Sequence, residues 1–167
     1  MREDPDKILE DLRERYDSEF SRGIFTDGGA SPNPGAGGWA VVMVDNNDVV
    51  KRLWGHEPFT TNNRMELTAI LEAYKLLPAD SDMTIFSDSR LCVNSINLWM
   101  DNWARNNWRS SNKKPVKNVE LLKAIYAQKK LKPKVEVRWV EAHAGGLWNE
   151  YAHRLAALGR RGQVGKD

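Results

Sequence analysis

Hydrophobic positions change period several times along the chain, and each change marks an element. Ile8, Leu12, Tyr16 and Phe20 recur at steps of four within a heavily charged stretch, which predicts an amphipathic helix in residues 1–22. After Gly23 the pattern becomes strand-like. Ile24–Asp27, Trp39–Val44 and Val49–Trp54 read as three strands, separated by the Gly/Pro-rich segment Gly28–Gly38 and by the turn Asp45–Asp48. Leu67, Ile70, Leu71, Tyr74 and Leu77 then fall at helical spacing until Pro78 ends the pattern. Met83–Asp88 reads as a buried strand, and Leu91 to Trp103 and Val119 to Lys129 as helices. Val135, Val137 and Trp139 alternate on a fifth strand. Leu147, Tyr151, Leu155 and Leu158 lie in register on a last helix that runs into Gly159-Arg160-Arg161-Gly162.

Three strands joined by turns form an antiparallel meander, whereas strand–helix–strand crossovers force parallel neighbours. This order therefore predicts an α/β fold on a mixed five-stranded sheet, three strands antiparallel and then two parallel, with ligands near the strand carboxyl ends. With 167 residues the chain suits one folded unit. The expected division is an acidic N-terminal helix (1–22), a main domain (23–159) and a basic C-terminal tail (160–167).

Composition narrows the class. Hydrophobic residues make up 41% and charged residues 29%, the balance of a folded, water-exposed domain. The longest apolar run, Trp39–Val44, is far shorter than the roughly 20 residues of a spanning helix, so no membrane association is expected. The N-terminus lacks a signal pattern and Cys92 is the single cysteine, which predicts a reducing, cytoplasmic setting without an intramolecular disulfide; a monomer is the plain expectation. Net charge is only +2, yet it is unevenly spread. Residues 1–22 hold five basic against eight acidic side chains, while Trp99–Lys134 holds ten basic against two acidic. The acidic helix either packs on its own domain or recruits a protein partner.

Asp27 and Asp88 end otherwise apolar strands, where a carboxylate either begins a turn or meets a cation. Glu66 falls beside Ile70 and Ala73 at the edge of the apolar stripe. Its local alternative is a first-turn Glu forming a capping-box pair with Asn63 as N-cap. Gly35-Ala36-Gly37-Gly38-Trp39-Ala40 formally fits a dinucleotide fingerprint, but the β-rich Trp39–Val44 run excludes the helix which that motif must open. One cysteine and histidines only at 56, 143 and 153 exclude a compact zinc spacing.

The stretch Trp99–Asn118 interleaves Trp99, Trp103 and Trp108 with Arg105, Arg109, Lys113, Lys114 and Lys117. Cations for phosphates and aromatic faces for sugars or bases make this a nucleic-acid-contacting composition. In the plainer alternative, the tryptophans are core and the cations a solvated face.

Five motifs in order resemble one family. Phe25-Thr26-Asp27-Gly28-Gly29 with Asn33–Gly38, Thr60–Leu67, Ser87-Asp88-Ser89, Lys113–Val119, and His143-Ala144-Gly145 with Asn149-Glu150 are similar to ribonuclease H of type 1, over roughly Ile24–Leu158. The resemblance implies a ribonuclease H-like fold with helices on both faces of the sheet, here with an extra N-terminal helix. It further implies endonucleolytic hydrolysis of the RNA strand of an RNA/DNA hybrid, leaving 5′-phosphate and 3′-hydroxyl ends. Asp27, Glu66 and Asp88 would bind two Mg²⁺ or Mn²⁺ ions, with Asp27 bridging them, and oxygen donors suit both metals. His143 would move a proton or assist product release. Thr61 and Asn118 would hold a DNA phosphate, and Asn33, Asn62 and Asn63 would meet the minor groove, whose 2′-hydroxyls distinguish RNA from DNA. Trp99, Trp103, Trp108, Lys113, Lys114 and Lys117 would form a basic protrusion over about residues 99–118.

The sequence departs from the family pattern at His153, where a fourth carboxylate is expected, and at Glu141-Ala142, where relatives often carry a basic residue and glycine. A neutral imidazole ligates Mn²⁺ more readily than Mg²⁺, so the expected site is three carboxylates plus His153, tilted toward Mn²⁺ and weaker at acid pH. The competing expectation is a hybrid-binding module with weakened catalysis. A transposase- or resolvase-type DNA enzyme is a further alternative on a related fold.

Overall fold

The computed structural model describes residues 2–167; Met1 lies outside them. Its six strands are β1 (Gly23–Ala30), β2 (Gly35–Asp45), β3 (Asp48–Thr60), β4 (Thr84–Ser87), β5 (Glu136–Trp139) and β6 (Gly165–Lys166). They form one sheet in the order β5-β4-β1-β2-β3-β6. β1/β2, β2/β3 and β3/β6 are antiparallel, and β1/β4 and β4/β5 are parallel.

The period of two that marks the strands also sorts their side chains into two layers. Ile24, Val41, Met43, Ile85 and Val137 face α2 (Asn62–Lys75) and α5 (Val119–Leu131). Phe25, Ala40, Val42, Val44 and Phe86 face α1 (Pro5–Arg13) and α6 (Leu147–Arg160). Helices thus cover both faces. Each large side chain fully buried in these layers contributes about 1.5–3 kcal/mol of transfer free energy.

Several expectations are corrected by packing. The sheet has six strands instead of five, because Gly165 and Lys166 pair with Trp54 and Leu53. Residues 165–167 are therefore no free tail. Asp167 Oδ2 accepts from Arg52 Nη2 at 2.7 Å, and the same guanidinium bonds Asp6 and the Tyr151 hydroxyl, clasping α1, α6 and β6 together. At the other end, the N-terminal helix stops at Arg13. Ile8 and Leu12 hold its buried stripe, but Tyr16 lies beyond it, and Phe20 stacks on Phe86 with ring centroids 4.4 Å apart. The step of four thus runs past the end of the helix that it marks.

The expected helix from Leu91 to Trp103 is present and runs without a break from Arg90 to Arg105, as α3 (Arg90–Asn94), a π turn (Ser95–Trp99) and α4 (Met100–Arg105). The N-cap of α2 is Thr61, whose side chain accepts from Arg64 N at 3.2 Å, and not Asn63. Glu66 is thereby freed from a capping box. Both hairpin strands run longer than their apolar cores, since ladder hydrogen bonds carry β2 back to Gly35 and β3 on to Thr60 through glycine and polar residues.

Candidate active site

Three elements bring the carboxylates together. Asp27 lies in β1, Glu66 in the second turn of α2, and Asp88 one residue past β4, which pairs in parallel with β1. Gly28 makes the approach of β1 to α2 possible, because a Cβ there would collide with the backbone of Met65 and Glu66. Oxygens of Asp27, Glu66 and Asp88 lie within 4.8 Å of one another. Asp27 and Glu66 are buried and Asp88 is half-buried.

Such crowding has an electrostatic consequence. Burial, then the charges of Asp27 and Asp88, push Glu66 well above the usual carboxylate range. Burial and the Asp27 charge raise Asp88 to about 6, against a hydrogen bond from Asn149 Nδ2 to its Oδ2 at 3.4 Å. Among the described residues no Lys or Arg pairs with any of the three. The cluster is short of positive charge, and oxygen-only donors of this kind fit a hard divalent cation.

Two imidazoles border the cluster. His153 Nδ1 is 2.9 Å from Asp27 Oδ2, a contact that raises the His153 pKa against the partial desolvation of the ring. His143 Nδ1 is 2.7 Å from Glu150 Oε1, and the two rings meet edge to face at 5.1 Å between centroids. His143 has a left-handed backbone (φ 54°) and a side chain 64% exposed, in the loop between β5 and α6. Carboxylates and histidines open into one cleft of 390 Å³ at the carboxyl ends of β1 and β4.

Comparison with known proteins gives this geometry a family. The RNase H family model matches residues 21–161, most of the chain. The chain belongs to the ribonuclease H family of enzymes. Ribonuclease H of Rickettsia typhi is 44% identical over 137 residues, which cover 82% of this chain and 89% of that protein. Solved structures share the fold at lower identity. The RNase H domain of prototype foamy virus aligns with a TM-score of 0.73 at 21% identity, over 86% of this chain and 96% of its own. The foamy viral protease-reverse transcriptase in complex with an RNA/DNA hybrid aligns with a TM-score of 0.75 at 21% identity, over 85% of this chain; the chain spans 20% of that longer polypeptide.

The remaining family-motif residues fall into three groups. A second groove of 350 Å³ is lined by Asn63, Trp103, Lys114, Lys117 and Asn118. Asn63 lines both this groove and the carboxylate cleft. Asn33 and Asn62 instead tie the Gly/Pro loop to α2: Asn33 Oδ1 accepts from Asn62 N at 3.1 Å, and Asn62 Oδ1 accepts from Ala30 N at 2.7 Å. Thr61 is engaged as the cap of α2 but lies exposed beside them. On the protrusion, Trp99 is exposed and stands 6.0 Å from Trp103, while Trp108 packs edge-on against Tyr126 at 5.7 Å. Trp108 is an anchor for the loop that presents Lys113, Lys114 and Lys117, all three exposed.

Residues that composition and spacing leave without a role also meet the site. Asn149 holds Asp88, Glu150 holds His143, and Arg160 lines the cleft two turns beyond His153. The Asn149-Glu150 pair was visible as a motif, but its partners lie across loop and sheet. Arg90, two residues past Asp88, places its guanidinium 4.0 Å from the centre of the Trp139 ring.

Proposed function

We propose that this protein is a metal-dependent endonuclease that hydrolyses the RNA strand of RNA/DNA hybrids, leaving 5′-phosphate and 3′-hydroxyl products. The observation that carries this reading is the convergence of Asp27, Glu66 and Asp88 within 4.8 Å, without a cationic side chain from Lys or Arg, in an open cleft. Those carboxylates would hold Mg²⁺ or Mn²⁺, with His153, which borders Asp27, as a fourth ligand. Bound there, divalent ions would supply charge neutralisation for an in-line displacement at phosphorus by water.

The chain's own groups do the rest. Glu150 engages Nδ1 of His143 and leaves Nε2 free, so an exposed imidazole stands ready to carry a proton between the cleft and solvent. Asn63, shared by the cleft and the adjoining groove, suits a ligand with two strands: RNA over the carboxylates and DNA against Trp103, Lys114, Lys117 and Asn118. Arg90 and the protrusion lysines add cations for phosphates. The foamy viral neighbour, described with an RNA/DNA hybrid, supports the same substrate class. A lone, buried Cys92 fits a reducing cytoplasm.

A second reading follows from His153, which bonds Asp27 and stands outside the group of mutually close ligand atoms. On that reading the protein binds hybrids and cuts them poorly. Labelled hybrid is incubated with Mg²⁺, Mn²⁺ or chelator, beside single-stranded RNA and both homoduplexes. Cutting of the hybrid's RNA alone, lost with chelator and in Asp27→Asn and Asp88→Asn, is the expected result. Tight binding without turnover in either metal selects the second reading, and wild-type turnover in both variants rejects the assigned site.

A further inference from the structure

The first two turns of α6 carry three contacts to the active site. Asn149 Nδ2 donates to Asp88 Oδ2 at 3.4 Å, Glu150 Oε1 is 2.7 Å from His143 Nδ1, and His153 Nδ1 is 2.9 Å from Asp27 Oδ2. A helix start is poorly suited to such a task by itself, because its first amides have no acceptor within the helix. Here the N-cap is Gly146, which has no side chain to offer one.

Acceptors arrive from the segment that follows α1. Glu19 Oε1 accepts from Trp148 N at 2.8 Å and Glu19 Oε2 from Asn149 N at 3.3 Å. Asp17 O accepts from Leu147 N at 2.9 Å, and Phe20 O accepts from the Trp148 indole Nε1 at 3.1 Å. A carboxylate is also the favourable charge at the positive end of the helix dipole. Gly146 complements the arrangement, since a Cβ at that position would run into the Glu19 carboxylate.

We propose that Glu19 is a positioning residue for hydrolysis: seated on the first turn of α6, it fixes Asn149 and Glu150, and through them Asp88 and His143. The inference rests on the hydrolase reading above. It gives the N-terminal segment an internal role, with α6 as the surface it docks on.

The test uses the full chain at a temperature well below every variant's melting point. Wild type, Glu19→Ala, Glu19→Gln, Gly146→Ala, the Glu19→Ala/Gly146→Ala double variant and a core control, Ile8→Ala, are compared by three readouts. These are amide exchange at Trp148 and Asn149, Mn²⁺ affinity without nucleic acid, and steady-state hydrolysis. In Glu19→Ala the two amides lose protection, Mn²⁺ affinity drops, and kcat falls about tenfold while KM changes less than about twofold, the pattern of misplaced reacting groups. Glu19→Gln keeps one acceptor oxygen and recovers part of each loss. Gly146→Ala reproduces Glu19→Ala, and the double variant is no worse than either single one, because both remove the same interaction. Ile8→Ala lowers the melting temperature and leaves kcat unchanged.

Wild-type kcat, Mn²⁺ affinity and amide protection in Glu19→Ala would overturn the proposal. So would equal kcat losses in Ile8→Ala, or single effects that simply add in the double variant. If Glu19→Ala does not fold, Glu19→Gln and Gly146→Ala carry the comparison. A wild-type protein that does not cut hybrids defeats the hydrolase reading, and amide exchange with Mn²⁺ affinity still decides whether Glu19 positions the site.

Discussion

Asp27 Oδ2 and His153 Nδ1, 126 positions apart in sequence, share a 2.9 Å hydrogen bond at the mouth of the carboxylate cleft. That bond, with the neighbouring carboxylate charges, raises the His153 pKa and keeps the ring protonated to higher pH than an ordinary histidine. A protonated imidazole is no ligand, so under the proposed metal assignment His153 must lose a proton before it can hold a metal. His153→Asp removes this requirement. The variant is expected to gain Mg²⁺-supported turnover relative to Mn²⁺-supported turnover, and the acid limb of its pH–rate profile moves to lower pH. Identical metal ratios and profiles in wild type and variant would show that His153 takes no part in metal binding.

Asp88 provides a stability test in the absence of metal. An acid whose folded pKa is raised holds a proton in the native state that the unfolded chain releases, so stability falls as pH rises through the interval between the two values. For Asp88 that interval runs from 3.8 to about 6, and the penalty is complete above it. Asp88→Asn removes a penalty on the order of 2–3 kcal/mol at neutral pH. Thermal melts in chelator are expected to show a more stable variant at pH above 7 and no gain near pH 3.5. Divalent ions should then stabilise wild type far more than the variant.

Gly28 sets the distance between β1 and α2. Gly28→Ala would force a methyl group against the Met65 and Glu66 backbone, which cannot yield as a flexible side chain can. The expected loss is about 3 kcal/mol of stability, with a large fall in turnover because Asp27 and Glu66 are pushed apart. Denaturant unfolding and hybrid cleavage measure the two effects. A variant as stable and active as wild type would mean that β1 and α2 are not in close contact.

Lys113, Lys114 and Lys117 are exposed on the protrusion. Alanine at each is expected to raise KM for the hybrid with little change in kcat, and to reduce the slope of log affinity against log salt by about 1 for each phosphate no longer engaged. Salt titrations of hybrid binding separate this from a folding defect, which leaves the slope intact. Trp108→Ala behaves differently: it removes the edge-on packing with Tyr126, frees the loop and weakens all three lysine interactions together.

Much of this architecture was readable in the chain. The alternation of Ile24, Phe25, Val41, Val42 and Met43 marks strands, and the same alternation assigns those side chains to opposite faces. Asp27 and Asp88 stood out because carboxylates ending apolar strands need an explanation, and the family motifs added Glu66. What misled the local reading was continuation of a pattern past the element that caused it. Tyr16 and Phe20 extend the stripe of Ile8 and Leu12, yet the helix stops at Arg13, and Phe20 is committed to Phe86. The π turn at Ser95–Trp99 left no signature, since its residues are ordinary helix formers whose register is set by the protrusion and sheet they join.

Periodicity, turn residues and charge distribution by themselves determined the strand and helix order, the mixed sheet and the presence of a basic, tryptophan-bearing segment, because each depends on neighbours within a few residues. The short strand β6, the Arg52 clasp and the seating of Glu19 on α6 were decided only in three dimensions. Arg52 reaches Tyr151 across 99 positions and Asp167 across 115, and Glu19 reaches Trp148 across 129; these two devices rest on single side chains whose role exists only once β3 and α6 have packed. The meeting of Asp27, Glu66 and Asp88 belongs to the same class: sequence named the three carboxylates, and the close packing of β1 on α2 and β4 turned them into one site.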